Sequence, residues 1–330
     1  MTYWIAFIVC SAVIIYSGTN LSKYGDIIAE KSGLGRTWIG LLLMASVTSL
    51  PELITGISSV TYADTPNIAV GDVLGSCMFN ILILAMLDLA HHKTPILSKT
   101  SLGNVLSAAF GILLMIMVVT SILFVSKIPL LGWLSVHSIF IVLIYFIAVR
   151  IIFQYEKKQM SEFINDMALK YEDITKNEAV FYYSINAVFV IAAAFFLPKI
   201  GEHIALSTGL GQTFIGNILI ASTTSFPEIV VSFAAVKIGA IDLAVSNLFG
   251  SNIFNIFILA IDDALFFKGN LLAYADKTHI VSGIAAIAMT SIAIVDIVYK
   301  PVRKRFFLDY SSWGIIIIYL FSIANLYILR

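Results

Sequence analysis

Long apolar segments alternate with short polar segments along the 330 residues of the chain. A membrane-spanning helix needs roughly 20 mostly apolar residues, because the hydrocarbon core of a bilayer is about 30 Å thick. The sequence predicts an all-α polytopic membrane protein with ten transmembrane helices. They run over about 3–19, 37–61, 67–90, 103–125, 130–152, 180–200, 210–236, 242–267, 279–299 and 309–329.

Composition supports a bilayer as the surroundings of the chain. Hydrophobic residues make up 59% and charged residues 12%, and 20 basic residues balance 20 acidic ones. A disordered chain needs the opposite composition, a nucleic-acid-binding protein needs a basic excess, and a soluble enzyme needs more polar surface. No Gly-x-x-x-x-Gly-Lys-Ser/Thr loop is present, which argues against an ATP-driven pump. We infer no protein partner and no nucleic-acid partner from the sequence.

The distribution of lysine and arginine predicts an orientation. With the amino terminus outside, 15 of the 20 basic residues lie in cytosolic loops and five lie outside. Basic residues are enriched in cytoplasmic loops. We therefore expect an integral protein of a prokaryotic cell membrane, with both termini outside and the central loop in the cytosol. The first apolar run lacks a basic flank and a cleavage site, so we expect it to be a helix and not a signal peptide.

Two sequence blocks occur twice. The first reads GLGRTWIGLLLMASVTSLPE at 33–52 and GLGQTFIGNILIASTTSFPE at 209–228, with 13 of 20 positions identical. The second reads VGDVLGSCMFNILILAMLD at 70–88 and VSNLFGSNIFNIFILAIDD at 245–263, with 10 of 19 identical. Chance similarity between apolar helices does not reproduce the same polar residues in the same order.

Five predicted helices separate the two copies, so the second copy enters the membrane from the opposite side. The predicted units are a first five-helix repeat at 1–152, with its repeated segment at about 33–90, and a second at 180–330, with its segment at about 209–267. A cytosolic linker at 153–179 joins them. Inverted repeats are common in secondary transporters, whose substrate site lies at the repeat interface near the bilayer midplane.

Each first block places a glutamate, Glu52 or Glu228, in the middle of a predicted span, directly after a proline. An ionisable group at that depth costs at least a few kcal/mol unless it faces a partner or a cavity. A protonated carboxyl that joins two helices is the simpler structural explanation, but the recurrence in both copies favours a cation site. Proline has no N–H, so Pro51 and Pro227 also leave a helical carbonyl four residues earlier without its donor.

Further oxygen donors share helix faces with the glutamates, at spacings of three or four residues. Their hydroxyl and amide oxygens, together with the carboxylates, suit a hard cation such as calcium, which takes 6–8 oxygen ligands. The candidate ligands are Thr48, Ser49, Ser76, Asn80, Thr224, Ser225, Ser251 and Asn255.

The aspartates do not belong to this predicted site. They lie near predicted span ends or in loops, where we interpret them mostly as interfacial charges, some of which attract cations to a vestibule. They include Asp64, Asp72, Asp88, Asp242, Asp262, Asp263 and Asp276.

The repeated motifs resemble those of the calcium/cation antiporter superfamily, and within it the sodium/calcium exchanger branch. The motifs are Thr-Ser-x-Pro-Glu at 48–52 and 224–228, and Gly-Ser-x-x-Phe-Asn at 75–80 and 250–255. The resemblance covers essentially the whole chain. It implies that Glu52 and Glu228 ligate calcium with the carbonyls of Thr48 and Thr224. It also implies sodium sites that include Ala45, Ser49, Ser76, Ala221, Ser225 and Ser251.

Asn255 departs from the pattern of this branch, which often carries an aspartate at that position. The predicted centre therefore has two carboxylates, and one calcium ion or two monovalent ions neutralise it. This leaves the coupling ion and the stoichiometry open.

The leading functional prediction is a secondary antiporter that exchanges calcium for sodium by alternating access. The alternative is a proton-coupled calcium or cation antiporter, because buried glutamates can carry protons. A channel fits the inverted repeat less well, and an intramembrane enzyme lacks a nucleophile with a base. The expected transported ions are Ca²⁺ and Na⁺ or H⁺, and no cofactor is expected.

Overall fold

The computed structural model describes residues 2–31, 47–91, 94–125, 129–160, 174–237, 239–301 and 308–329. These residues are almost entirely helical. A two-stranded antiparallel ribbon joins two of the helices and pairs Leu130–Leu131 with Leu134–Ser135. The all-α class predicted from the apolar segments is confirmed.

The first half of the chain contains five of the described helices. They are α1 (Thr2–Lys31), α2 (Leu50–Ser58), α3 (Pro66–Ala90), α4 (Gly103–Leu123) and α5 (Val136–Met160). A π-helical turn at Ser59–Ala63 extends α2, and a short 3-10 turn at Leu97–Lys99 precedes α4.

The second half of the chain contains seven of the described helices. Its described helices are α6 (Lys176–Thr208), α7 (Gly211–Phe214), α8 (Ala221–Thr224), α9 (Phe226–Lys237), α10 (Ile241–Leu265), α11 (His279–Tyr299) and α12 (Tyr310–Ile328). A π-helical segment at Ile215–Ile220 joins α7 to α8, and a 3-10 turn at Leu271–Ala273 follows α10.

Eight helices within the described residues are long and apolar enough to span a membrane, and a ninth span is obtained if the bent pair of 212–224 and 226–237 counts as one. The predicted second span at 37–61 has residues 37–46 outside the described part. The count of ten and the inverted arrangement therefore stay predictions.

Several helices extend beyond their apolar segments. α1 continues to Lys31, α5 to Met160, and α6 already begins at Lys176. At the start of α6 the hydroxyl of Thr175 accepts from the backbone N–H of Glu178, while the Glu178 carboxylate accepts from the Thr175 N–H. This capping box supplies partners to the first N–H groups of the helix. Helices thus continue into part of the predicted linker at 153–179.

The helices α3 and α10 form the centre of the molecule. They pack against each other, and their apolar side chains, such as Leu74, Ile81 and Leu248, belong to one buried cluster. The outer helices instead expose large apolar side chains, for example Phe146, Phe189 and Phe321. An exposed apolar surface of this kind suits contact with lipid.

Candidate cation site

The helix backbone breaks just before each glutamate. Ser49 and Ser225 have almost the same non-helical conformation, with φ/ψ of −88°/15° and −85°/10°. Pro51 and Pro227 therefore lie in the first turn of α2 and α9, where the missing N–H would have no helical partner. This differs from the proline kink within a continuous helix that the sequence suggests, and the bend at Ser225 is 43°.

Each glutamate accepts a hydrogen bond from the serine of the other repeat. The Ser49 hydroxyl donates to Glu228 Oε1 at 3.2 Å, and the Ser225 hydroxyl donates to Glu52 Oε1 at 2.8 Å. Both carboxylates and both hydroxyls are fully buried. The backbone breaks that precede α2 and α9 therefore lie close together, and the serine of each repeat donates to the glutamate of the other.

A second pair of contacts shows the same reciprocity between the repeats. The hydroxyls of Thr48 and Ser251 lie 3.4 Å apart, and those of Ser76 and Thr224 lie 3.5 Å apart. Ser76 also donates to Glu52 Oε1 at 3.3 Å. Thr48 corresponds to Thr224 in the repeat, and Ser76 corresponds to Ser251. The two contacts therefore join equivalent pairs of residues.

Several buried oxygens at this centre have no hydrogen-bond partner among the described residues. They include the second carboxylate oxygen of each glutamate and the side-chain oxygens of Asn80 and Asn255. Buried polar atoms normally find partners, so an unpartnered set of this kind needs an explanation. Carboxylate and amide oxygens together suit a hard cation.

The two asparagines differ in their surroundings. Asn80 donates to the side-chain oxygen of Asn252 at 3.0 Å, whereas both amide atoms of Asn255 are without a partner in the described part of the chain. Asn252 also donates to the Cys77 carbonyl at 3.2 Å. Sequence reasoning missed Asn252, although it is a polar residue at the position where the first repeat has Cys77.

Of the two alanines in the predicted sodium sites, Ala221 lies within the described part of the chain. The Ala221 carbonyl accepts from the Ser225 N–H at 3.0 Å and from the Thr224 hydroxyl at 3.2 Å, so it faces the break in the helix. Ala45 lies outside the described residues.

Four of the aspartates interpreted as interfacial charges are instead buried, namely Asp72, Asp88, Asp262 and Asp263. Asp72 and Asp262 are both fully buried within the helical bundle. Asp72 Oδ1 accepts from the Thr224 hydroxyl at 2.9 Å. The prediction was wrong for Asp72 because it weighed distance from the span end alone. Asp72 precedes Ser76 by four residues and so shares its helix face, a signal that the sequence did contain.

Other aspartates stabilise connections between helices. Asp88 accepts from the backbone N–H of Ile96 at 3.0 Å, and Asp263 accepts from that of Leu271 at 2.7 Å. These two contacts occupy equivalent repeat positions, 175 residues apart. Asp64 behaves as predicted for a surface charge, since it is exposed and pairs with Lys268.

The family of the chain follows from its sequence as a whole. A model of the sodium/calcium exchanger protein family matches residues 2–154 and 179–328, which is most of the chain. The chain belongs to this family. As a member it is a membrane transporter of inorganic cations and not an enzyme, which confirms the resemblance seen in the motifs.

Two relatives of this exchanger are similar over most of their length. An uncharacterised membrane protein of Methanocaldococcus jannaschii is 27% identical over 258 residues, which cover 76% of this chain and 78% of that protein. The inner membrane protein YrbG of Escherichia coli is 28% identical over 274 residues and 80% of each chain.

Solved structures show the same fold. The sodium-calcium exchanger NCX_Mj, soaked with 2.5 mM Na⁺ and 0.1 mM Ca²⁺, superposes with a TM-score of 0.63 at 21% identity and covers 98% of each chain. At that identity the likeness shows the architecture alone. Membership of the family together with this fold supports cation/calcium antiport as the activity of this exchanger.

Proposed function

We propose that this exchanger moves calcium out of the cell in return for sodium, by alternating access to one site at the repeat interface. The observation that carries the proposal is the reciprocal bonding of Ser49 to Glu228 and of Ser225 to Glu52. It joins the two copies at a fully buried pair of carboxylates. A site made from both repeats is the site that a movement of one repeat against the other opens to alternate sides.

In this proposal the glutamates supply the charge for the ions. Glu52 and Glu228 each have one oxygen held by serine and one without a partner among the described residues, so each can ligate an ion without losing its position. The carbonyls of Thr48 and Thr224, the hydroxyls of Ser49, Ser76, Ser225 and Ser251, the amides of Asn80 and Asn255, and the Ala45 and Ala221 carbonyls complete the proposed ligand set.

Charge balance favours exchange over leakage. Two ionised carboxylates in a low-dielectric site repel each other, and an isolated buried ion costs several kcal/mol. One calcium ion or two monovalent ions neutralise the glutamate pair, so the loaded forms of the pair cross the bilayer more easily than the empty form. Obligatory exchange follows from this difference.

The proposed topology has ten helices, with both termini outside and 153–179 in the cytosol. Under this orientation α2 runs outward past Glu52 and α9 runs inward past Glu228. The equivalent breaks at Ser49 and Ser225 support two antiparallel copies of one structural unit.

The coupling ion is tested by calcium uptake into proteoliposomes. We expect an outward sodium gradient to drive ⁴⁵Ca²⁺ uptake and an outward proton gradient of equal size, imposed in choline medium with the voltage clamped, to drive little. Uptake driven by the proton gradient alone would show that the coupling ion is the proton and not sodium. The presence of Asn255 in place of an aspartate leaves this alternative open. Uptake that follows neither gradient would overturn antiport.

A further inference from the structure

We infer that Asp72 and Thr224 form a separate binding site for one monovalent cation beside the glutamate pair. The inference rests on the proposed function and adds a ligand position to it. Asp72 lies on α3, one helical turn before Ser76, and its Oδ1 accepts from the Thr224 hydroxyl at 2.9 Å. Thr224 belongs to α8, directly before the break that precedes Glu228.

The second carboxylate oxygen of Asp72 carries the argument. Asp72 is fully buried, and its Oδ2 has no hydrogen-bond partner in the described part of the chain. No lysine or arginine bonds to it there either, since the two ion pairs that join described residues are Lys199–Glu202 and Lys268–Asp64. A buried carboxylate without a cationic side chain is stable when a bound cation supplies the missing charge.

Asp72 is connected to the glutamate pair by a short chain of hydroxyls. The Thr224 hydroxyl lies 3.5 Å from that of Ser76, which donates to Glu52 Oε1 at 3.3 Å. Among the described residues, however, no three acidic, histidine or cysteine side chains lie close enough to hold one metal ion together. Asp72 and both glutamates therefore do not converge on a single ion, and Asp72 is assigned an ion of its own at a neighbouring position.

The first copy of the repeat carries this carboxylate and the second copy does not. The position equivalent to Asp72 is Asn247, which is also buried and has both amide atoms without a partner among the described residues. One copy thus carries an aspartate and the other an asparagine of the same shape. The third charge that is absent at Asn255 is present at Asp72, on α3 and not on α10.

A single carboxylate selects a monovalent cation. One monovalent ion neutralises Asp72, whereas a divalent ion would leave a buried positive charge. Asp72 and the two glutamates form a set that carries three negative charges when all three carboxylates are ionised. It becomes neutral with one calcium and one monovalent ion, or with three monovalent ions. Calcium therefore crosses together with a monovalent ion at Asp72.

The test is calcium–calcium exchange in proteoliposomes, measured with ⁴⁵Ca²⁺ at equal calcium on both sides. The vesicles contain choline as a bulky organic cation in place of sodium, and sodium is added equally to both sides at pH 8. For the unmodified protein we expect sodium to stimulate exchange by a factor on the order of ten or more at low concentration, because it removes a buried uncompensated charge. High sodium then inhibits by competing at the glutamate pair.

The Asp72→Asn variant has the residue that the second repeat carries at this position, so its shape is compatible with the fold. We expect its exchange to proceed without sodium and to show only the inhibition. The matched control is Asp64→Asn, the same chemical change at an exposed residue with a positive φ that asparagine also adopts. The control should keep both the stimulation and the inhibition.

The outcomes separate this inference from the proposed function. If sodium only inhibits calcium–calcium exchange by the unmodified protein, the proposed antiport stands and the Asp72 site is overturned. Equal stimulation of the Asp72→Asn variant would overturn it as well, since sodium would then act elsewhere. An unmodified protein without calcium flux would remove the proposed function and the inference together.

If a variant does not transport calcium, the inference is tested by measuring calcium binding to the detergent-solubilised protein. We expect monodisperse Asp72→Asn protein to bind calcium without the enhancement that low sodium gives the unmodified protein. Loss of calcium binding in monodisperse protein would make Asp72 a calcium ligand and overturn the separate site. If Asp72→Asn is not monodisperse, Asp72→Ser takes its place in both measurements and is judged by the same outcomes.

Discussion

At the scale of single residues, the proposed cation site depends on two carboxylates, each held by the serine of the other repeat. Each glutamate keeps one oxygen on the serine of the other repeat and leaves the other oxygen without a partner among the described residues. The serines therefore fix the direction of each carboxylate before an ion arrives. Preorganised ligands of this kind reduce the cost of ordering on binding.

Replacing Glu52 or Glu228 by glutamine removes one charge and keeps the size of the side chain. A hydrogen bond or ligand contact to a charged group contributes roughly 1.5–3 kcal/mol, so we expect calcium transport to fall by about tenfold to a hundredfold in each variant. The measurement is gradient-driven ⁴⁵Ca²⁺ uptake. Glu202→Gln, which changes a carboxylate paired with Lys199, is the matched control and should transport normally. Full activity of both site variants would remove the glutamates from the site.

Replacing Asn255 by aspartate adds a further carboxylate to the same centre. Asn255 is fully buried and its amide has no partner in the described residues, so the new group gains no protein cation. We expect calcium binding to persist, while the pH dependence of transport and the competition between sodium and calcium both change. Calcium flux measured against sodium concentration at several pH values tests this. Identical curves for both proteins would show that position 255 does not face the ions.

At the scale of elements, close contact between α3 and the segment 215–224 brings the two repeats together. A Cβ atom on Gly75 would lie 2.6 Å from Asn217 Cα and 2.7 Å from the Ala221 Cβ, and backbone cannot move away as a flexible side chain would. The absence of a side chain at Gly75 thus lets Ser76, on the next position, reach Thr224.

We therefore expect Gly75→Ala to destabilise the protein by about 1–3 kcal/mol, the usual cost of overpacking, and to reduce transport. Gly111→Ala is the control, because its nearest neighbour would be Ile253 Cγ1 at 4.0 Å, an ordinary contact. Thermal unfolding in detergent, followed by size exclusion, compares the two. Equal melting temperatures would contradict the close packing.

The repeated sequence was sufficient to predict the glutamate pair and most of its surroundings, because the polar residues recur at helical spacing in both copies. It was not sufficient for the break at Ser49 and Ser225, since a proline predicts either a kink or a helix start. Asp72 was missed because its place near the predicted span end outweighed its place on the helix face of Ser76, and because its partner Thr224 lies in the other repeat. Asn252 was missed because its partner, Asn80, lies in the other repeat.

At the scale of the whole molecule, the proposal requires that the two copies cross the membrane in opposite directions. The structure contains equivalent contacts from both copies, such as Asp88 with Ile96 and Asp263 with Leu271. The proposed orientation places the first of these contacts at the cytosolic side and the second outside.

Cysteine labelling tests this orientation. In a background where Cys10 and Cys77 are replaced by alanine, a cysteine at Lys157 should react only with reagent on the cytosolic side. A cysteine at Lys268 should react only from outside, because the basic residues are concentrated in the loops assigned to the cytosol. Reversed labelling would invert the orientation, and labelling of both positions from one side would contradict the inverted repeat.

The central claim is that calcium crosses only in exchange for ions at the glutamate pair. The most direct measurement is the efflux of ⁴⁵Ca²⁺ from loaded proteoliposomes diluted into choline medium, with or without sodium or calcium outside. We expect almost no efflux into choline alone, rapid efflux into sodium, and slow efflux into calcium, because calcium–calcium exchange without sodium leaves the charge of Asp72 uncompensated. The efflux into sodium should fall at least about tenfold in Glu228→Gln. Rapid efflux into choline with no counter-ion would show a channel-like pathway and contradict antiport.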